Sequence, residues 1–100
     1  MPQRVNAEQF AEALGAPVLV ADFYSDSCVP CKHLSPVIAE LEEKLPEVRF
    51  VKINIAYEKE LTEKYDVMSA PTLILFKNGV EADRRTGFAP AGEIEEFITK

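Results

Sequence analysis

The 100-residue chain contains no tryptophan, one histidine and only two cysteines. It also lacks any apolar run of the roughly 18 residues that a membrane helix needs, and its first residues do not form the apolar core and cleavage site of a signal peptide. Basic residues are outnumbered, 11 to 17, for a net charge of -6. Because nucleic-acid binding depends on clustered Lys and Arg, this balance argues against such a partner. We therefore expect a cytoplasmic protein that binds neither nucleic acid nor a membrane.

The scarcity of cysteine and histidine also limits the possible chemistry. Two cysteines and one histidine cannot form a closed tetrahedral zinc site within one chain, so we expect no metal. In a chain expected to be cytosolic, a close cysteine pair is more typical of catalysis than of a structural disulfide framework. Cys28 and Cys31 are therefore candidates for redox chemistry, and two buried structural thiols are the alternative.

Length and composition predict a single domain over residues 1–100. A chain of this length can bury most of its apolar surface around one core. Its 47% apolar and 28% charged residues are an ordinary globular balance. No internal repeat, low-complexity segment or linker interrupts the chain.

Hydrophobic periodicity predicts four helices and at least four strands, in the order α, β, α, β, α, β, β, α. The predicted helices follow Asn6, begin near Cys28, lie between Tyr57 and Tyr65, and follow Pro90; the predicted strands lie at 18–24, 50–55, 73–76 and from 80 onward. An Asn-Gly pair predicts that the last two strands form a hairpin. The order indicates an α/β fold with a central mixed sheet of about four to five strands and four flanking helices.

Cys28 and Cys31 lie three residues apart at the predicted start of the second helix, on one face and within disulfide range. Free backbone N–H groups and the helix dipole favour an anion at Cys28, which we predict to be the nucleophilic thiolate. Cys31 lies one turn further in and is suited to resolving a mixed disulfide. Pro30 fixes the backbone between them, and its missing N–H is harmless in the first turn.

Two further polar residues lie near the pair. Asp22 interrupts the apolar strand at 18–24, and a carboxylate is rarely buried unless it has a partner or a function. Both explanations remain open at this point. His33 is interpreted as a polar position on the helix face rather than as a site residue.

Several segments together form a family pattern. They are LVADFY at 19–24, CVPCK at 28–32, Pro36, VKINI at 51–55, APTL at 70–73 and FKNG at 76–79. In order and spacing the chain resembles the thioredoxin family over residues 5–100. That resemblance implies a thioredoxin fold and a thiol–disulfide oxidoreductase that reduces protein disulfides through Cys28 and Cys31.

The resemblance also assigns catalytic roles and partners. It implies that Asp22 relays a proton for Cys31, with Lys52 as its partner on the neighbouring strand. It implies no cofactor other than the redox-active disulfide. The expected partners are disulfide-containing substrate proteins and a thioredoxin reductase, and we expect a monomer.

A substrate groove follows from the same resemblance. Pro71 matches the family's cis-proline, whose loop faces the cysteines and lets the Ala70 backbone pair with an extended substrate. Gly87 matches a glycine that lines the same groove, and Val29 and Pro30 are its expected neighbours on the cysteine side.

Two residues depart from the family pattern beside the sulfur atoms. Ser27 stands where the family has tryptophan, and Val29 stands where it has glycine. A β-branched residue stiffens the turn, and the missing indole removes a large apolar contact. Two alternatives to a general reductant follow: a specialised oxidoreductase with a dedicated partner or reductase, and a redox-inert module that binds proteins through the groove at Ala70 and Pro71.

Overall fold

A single mixed sheet of five strands is the centre of the computed structural model, which describes residues 2–100. The strands are β1 (Gln3–Arg4), β2 (Val18–Tyr24), β3 (Arg49–Asn54), β4 (Thr72–Lys77) and β5 (Val80–Thr86). Their order across the sheet is β1-β3-β2-β4-β5. β1 and β2 run parallel to β3, whereas β4 is antiparallel to both β2 and β5. The predicted mixed α/β sheet is confirmed.

Helices cover both faces of this sheet, as predicted. Within residues 2–100 they are α1 (Ala7–Ala13), α2 (Val29–Lys44), α3 (Lys59–Lys64) and α4 (Ala91–Thr99). Leu34 of α2 and Ile94 of α4 belong to one buried cluster, and Phe10 of α1 and Leu61 of α3 belong to the other. Among the described helices, none has the length and apolar character to cross a membrane.

Local signals explain where two of these elements begin or turn. The Asn6 side chain accepts the Gln9 N–H at 2.9 Å, and the Gln9 side chain accepts the Asn6 N–H at 2.9 Å, which together cap α1. Asn78 and Gly79 have φ values of 54° and 81°, as a tight β4–β5 hairpin turn requires. The predicted cap and hairpin are confirmed.

Apart from shifts of one residue at strand ends, the predicted elements differ from the observed ones in two places. β1 was not predicted, because a two-residue strand is too short to show a periodic pattern. The helix predicted between Tyr57 and Tyr65 begins later, at Lys59. The reason is local: Asn54 Oδ1 accepts the Ala56 N–H at 2.9 Å and the Tyr57 N–H at 3.3 Å, which holds the preceding residues in a turn.

The central position of β2 explains its apolar sequence. It pairs with β3 on one side and β4 on the other, and five of its seven residues are buried. In this register Asp22 lies opposite Lys52 of β3 and Leu73 of β4. Because side chains alternate along a strand, Asp22 and Lys52 lie on the same face of the sheet. The sheet therefore brings together two polar residues that are 30 positions apart in sequence.

Candidate active site

The two cysteines form a disulfide at the start of α2, with their Cα atoms 5.2 Å apart. Cys28 is the N-cap residue, and its Sγ accepts the Cys31 backbone N–H at 3.1 Å. In the reduced protein, a donor at this place stabilises a thiolate on Cys28. The positive end of the helix dipole acts in the same direction. This geometry lowers the cost of a negative charge on the Cys28 sulfur.

Exposure differs between the two cysteines. Cys28 is half-buried, whereas Cys31 is only 7% exposed. Val29 and Pro30 are both exposed and leave an open surface beside Cys28. An incoming disulfide can therefore reach Cys28, while Cys31 is shielded by the helix and the sheet.

Asp22 is buried on the protein side of the pair. The residue is 5% exposed, and within residues 2–100 its Oδ1 has no hydrogen-bond partner. Burial raises the pKa of this carboxyl from 3.8 to about 6, and the positive charge of Lys52 lowers it in part. A pocket of about 150 Å³, lined by Asp22, Cys31 and Lys52 among others, has room for water. The Asp22 carboxyl and Cys31 therefore line one space that is wide enough for water.

Lys52 acts on Asp22 through space rather than by contact. Its Nζ lies 4.6 Å from the centroid of the Tyr24 ring, and among the described residues no ion pair joins it to Asp22. A cation over an aromatic face is attracted to the ring. Burial outweighs the attraction of Lys52 on the Asp22 carboxyl.

The loop before β4 faces the cysteines. The Ala70–Pro71 peptide bond is cis, and the Ala70 carbonyl oxygen lies 3.5 Å from Cys28 Sγ. The Gly87 N–H donates to the Pro71 carbonyl at 2.9 Å. Gly87 has a φ of 83°, which favours glycine over any residue with a side chain. Ala70 therefore lies beside the Cys28 sulfur, and Gly87 is hydrogen-bonded to the same loop.

Two residues near the site were not among the expected site residues. Tyr24 holds Lys52, and its position two residues after Asp22 on the same strand was the signal that could have found it. Phe88 is 49% exposed and lines a pocket with Val29, Pro30 and His33. The only sequence signal for Phe88 was an aromatic residue directly after Gly87.

Metal binding has no support in the described part of the chain. Over residues 2–100, no three His, Cys, Asp or Glu side chains are grouped so that they could hold an ion.

Comparison with known proteins gives a consistent result. The Thioredoxin family model matches residues 2–100. A thioredoxin of Chlamydia trachomatis is 38% identical over 100 residues, covering 100% of this chain and 98% of that protein. A thioredoxin of Bacillus subtilis is 34% identical over 98 residues, covering 97% and 94%. The crystal structure of Fasciola hepatica thioredoxin superimposes with a TM-score of 0.86 at 31% identity, covering 99% of this chain and 97% of that one.

The family match and the disulfide decide between the hypotheses at the level of reaction class. A redox-inert binding module is not favoured, because Cys28 and Cys31 are placed to open and close a disulfide. A specialised oxidoreductase is not favoured over a general one by any of these relatives, which are all thioredoxins. The chain belongs to the thioredoxin family, and it is a thiol–disulfide oxidoreductase of the protein-disulfide reductase type.

Proposed function

We propose that the protein is a single-domain, monomeric dithiol that reduces the disulfides of other proteins in the cytoplasm. A flavin-dependent, NADPH-linked thioredoxin reductase returns electrons to it, and the Cys28–Cys31 disulfide is its only redox group. The observation that supports this most directly is the pairing of an accessible sulfur at a helix N-terminus with a shielded sulfur beside a buried carboxyl.

The first step is attack by Cys28. Its thiolate displaces one sulfur of the substrate disulfide, so that a Cys28–substrate bond forms and the substrate S–S bond breaks. The other substrate sulfur leaves as a thiolate and takes a proton from solvent. The Cys31 N–H that points at Cys28 Sγ supports this step, because it stabilises the attacking thiolate.

The second step is resolution by Cys31. Asp22 takes the Cys31 proton through the shared pocket, and the Cys31 thiolate attacks Cys28 Sγ. The substrate's second thiolate leaves, and the Cys28–Cys31 disulfide forms. Two electrons have then passed from the protein to the substrate. A carboxyl with a pKa of about 6 is suited to this role, because at neutral pH it is mostly ionised and still accepts a proton readily.

Substrate binding is assigned to the surface around Cys28. The Ala70 backbone is the proposed partner for an extended substrate segment, and Pro71 holds that loop beside the sulfur. Val29, Pro30 and Gly87 form the rest of the proposed groove. Two observations support this assignment. Val29 and Pro30 are exposed directly after Cys28, and Gly87 donates a hydrogen bond to Pro71.

The proposed function is tested by reduction of insulin disulfides, first with dithiothreitol and then with NADPH and a bacterial thioredoxin reductase as electron source. We expect turnover in both assays, with Cys28→Ser as the inactive control. A folded protein that is inactive with dithiothreitol would refute the proposal. Activity with dithiothreitol alone would instead favour a dedicated reductase. Such a reductase would have to accommodate Val29, which is exposed beside the sulfur.

Tyr24→Leu is predicted to lower the pKa of Asp22. The variant keeps an apolar side chain but removes the ring that holds Lys52, so that the ammonium group can approach the carboxyl and favour its charged form. We expect a decrease of about one pH unit. NMR titration of the Asp22 side-chain carboxyl carbon measures it directly.

Tyr24→Phe is the matched control for this prediction. It retains the aromatic face, so Lys52 should stay in place and the Asp22 titration should not move. If Leu and Phe at position 24 give the same midpoint as the wild type, the ring does not control the position of Lys52.

A further inference from the structure

A second pocket opens on the solvent side of the cysteine turn. It has a volume of about 270 Å³ and is lined by Val29, Pro30, His33 and Phe88. None of these residues lines the Asp22 pocket. The volume is below the range of about 300–1,000 Å³ typical of small-molecule sites, so it suits one side chain of a larger partner. We refer to it below as the Phe88 pocket.

The walls of the Phe88 pocket are apolar and accessible. Phe88 is 49% and Val29 is 61% exposed. Only three other large apolar residues of the described chain are comparably exposed, namely Tyr57, Met68 and Val80. Clustered apolar exposure beside a functional group marks an interaction surface, because water contact at these side chains is unfavourable. Two of these five residues, Val29 and Phe88, line the same pocket, and Val29 directly follows Cys28.

The pocket is built on well-anchored backbone. Gly87, directly before Phe88, donates its N–H to the Pro71 carbonyl at 2.9 Å. Ala89, directly after Phe88, is only 2% exposed. The opposite wall is the first turns of α2, where Pro30 fixes the backbone. Both walls are held in place, so little ordering is needed when an occupant enters.

The chemistry of the pocket limits its occupant. His33 is the only titratable residue that lines it, and no acidic side chain does. A charged side chain would therefore lose water without gaining an ionic partner. An apolar or aromatic side chain would bury against Val29 and Phe88 at a gain.

We propose that the Phe88 pocket binds an apolar or aromatic side chain one or two residues from the attacked cysteine of a substrate polypeptide. The inference rests on the proposed function, in which a substrate polypeptide becomes joined to Cys28. Val29 is the next residue of the chain and lines the pocket, so the joined polypeptide lies close to the pocket. An extended chain advances about 3.3 Å per residue, so a near neighbour of the attacked cysteine has the reach to enter the pocket. Phe88 is then a residue that determines substrate preference.

The test uses peptides whose single cysteine carries a thionitrobenzoate group in a mixed disulfide. In each peptide, one of the four positions within two residues of that cysteine carries Phe, Leu, Ala or Asp. The reduced protein releases coloured thionitrobenzoate, and stopped-flow absorbance gives the rate constant. We expect the best-placed Phe peptide to react about tenfold faster than its Ala counterpart and faster still than the Asp peptide.

Variants assign any preference to the pocket. Phe88→Ala should bring the Phe-to-Ala rate ratio close to one, whereas Phe88→Leu should retain most of it. Val80→Ala removes an equally exposed apolar side chain on β5 and should leave the ratio unchanged. Circular dichroism checks folding, and if Phe88→Ala proves unfolded, Val29→Gly is the second variant expected to reduce the ratio.

Three outcomes would overturn the inference. One is a wild-type ratio near one at every position, and another is a preference that persists in Phe88→Ala. The third is a dimer in sedimentation that Phe88→Ala dissociates, because a second copy would then be the occupant. Failure of the proposed function gives a different result, since a protein that is no disulfide reductant would not reduce insulin with dithiothreitol as electron source, whatever its rates with the peptides.

Discussion

Cys31→Ser is expected to abolish turnover while leaving the first chemical step intact. Cys28 should still attack a substrate disulfide, but no second thiolate would remain to release the product. We expect insulin reduction to fall by more than about a thousandfold, together with accumulation of a protein–substrate mixed disulfide. Mass spectrometry after acid quenching measures the adduct, and peptide mapping should place it on Cys28.

Cys28→Ser is the matched control for the trapping experiment. Its remaining sulfur, Cys31, is only 7% exposed, so substrate should not reach it and no adduct should form. Equal trapping by both variants would show that the two sulfurs are not distinguished by access. Near-normal turnover by Cys31→Ser would show that resolution does not need the second cysteine.

Asp22→Asn is expected to stabilise the oxidised protein at neutral pH. The carboxyl has a pKa of 3.8 when unperturbed and about 6 in the folded protein, and burial is the main cause. Because the folded-state value is raised, the native protein binds the proton more tightly, and ionisation makes folding less favourable as pH rises through this window. At about 1.4 kcal/mol per pH unit, the difference corresponds to about 3 kcal/mol above pH 6.

The pH dependence distinguishes this effect from a general change in packing. Wild-type stability should lose this contribution between about pH 4 and pH 6, whereas Asp22→Asn should not. The two proteins should therefore be nearly equally stable near pH 3 and differ most near pH 8. Urea unfolding at several pH values measures the difference. A gain of the same size at every pH would contradict the proposed charge burial.

The same substitution is expected to slow resolution. Without the carboxyl, Cys31 must lose its proton to solvent, so the decay of the mixed disulfide should slow by about a hundredfold near neutral pH and recover as pH rises. Asp26→Asn is the matched control, because this carboxylate lines the same pocket but is exposed. Equal effects of the two substitutions would show that burial of Asp22 is not what matters.

Much of the fold was predictable because its signals are local. The capping pair Asn6 and Gln9, the turn residues Asn78 and Gly79, and the spacing of Cys28 and Cys31 each act within a few residues of the chain. Such patterns predicted four helices, the hairpin and the place of the cysteine pair at a helix start. They did not predict β1, which exists only because β3 provides a pairing edge.

The candidate site was predictable only in part, because several of its properties arise between distant segments. Ala70 reaches the Cys28 sulfur across 42 positions in sequence. The family pattern predicted that approach, and it also predicted Lys52 as a strand partner of Asp22. It did not predict that Lys52 would lie on the Tyr24 ring. Whether the Lys52 side chain lies against Tyr24 or Asp22 depends on how the surrounding residues pack.

The sequence by itself determined where the cysteine pair lies, because two cysteines at Cys-x-x-Cys spacing at the start of an amphipathic helix need only local geometry to come within disulfide range. The tertiary structure decided how that pair is controlled. Burial beneath the sheet and α2 raises the pKa of Asp22, and Phe88 meets Val29 only because the β5–α4 loop folds against the cysteine turn. Desolvation and surface shape depend on which segments surround a residue, and that is settled only when distant elements pack together.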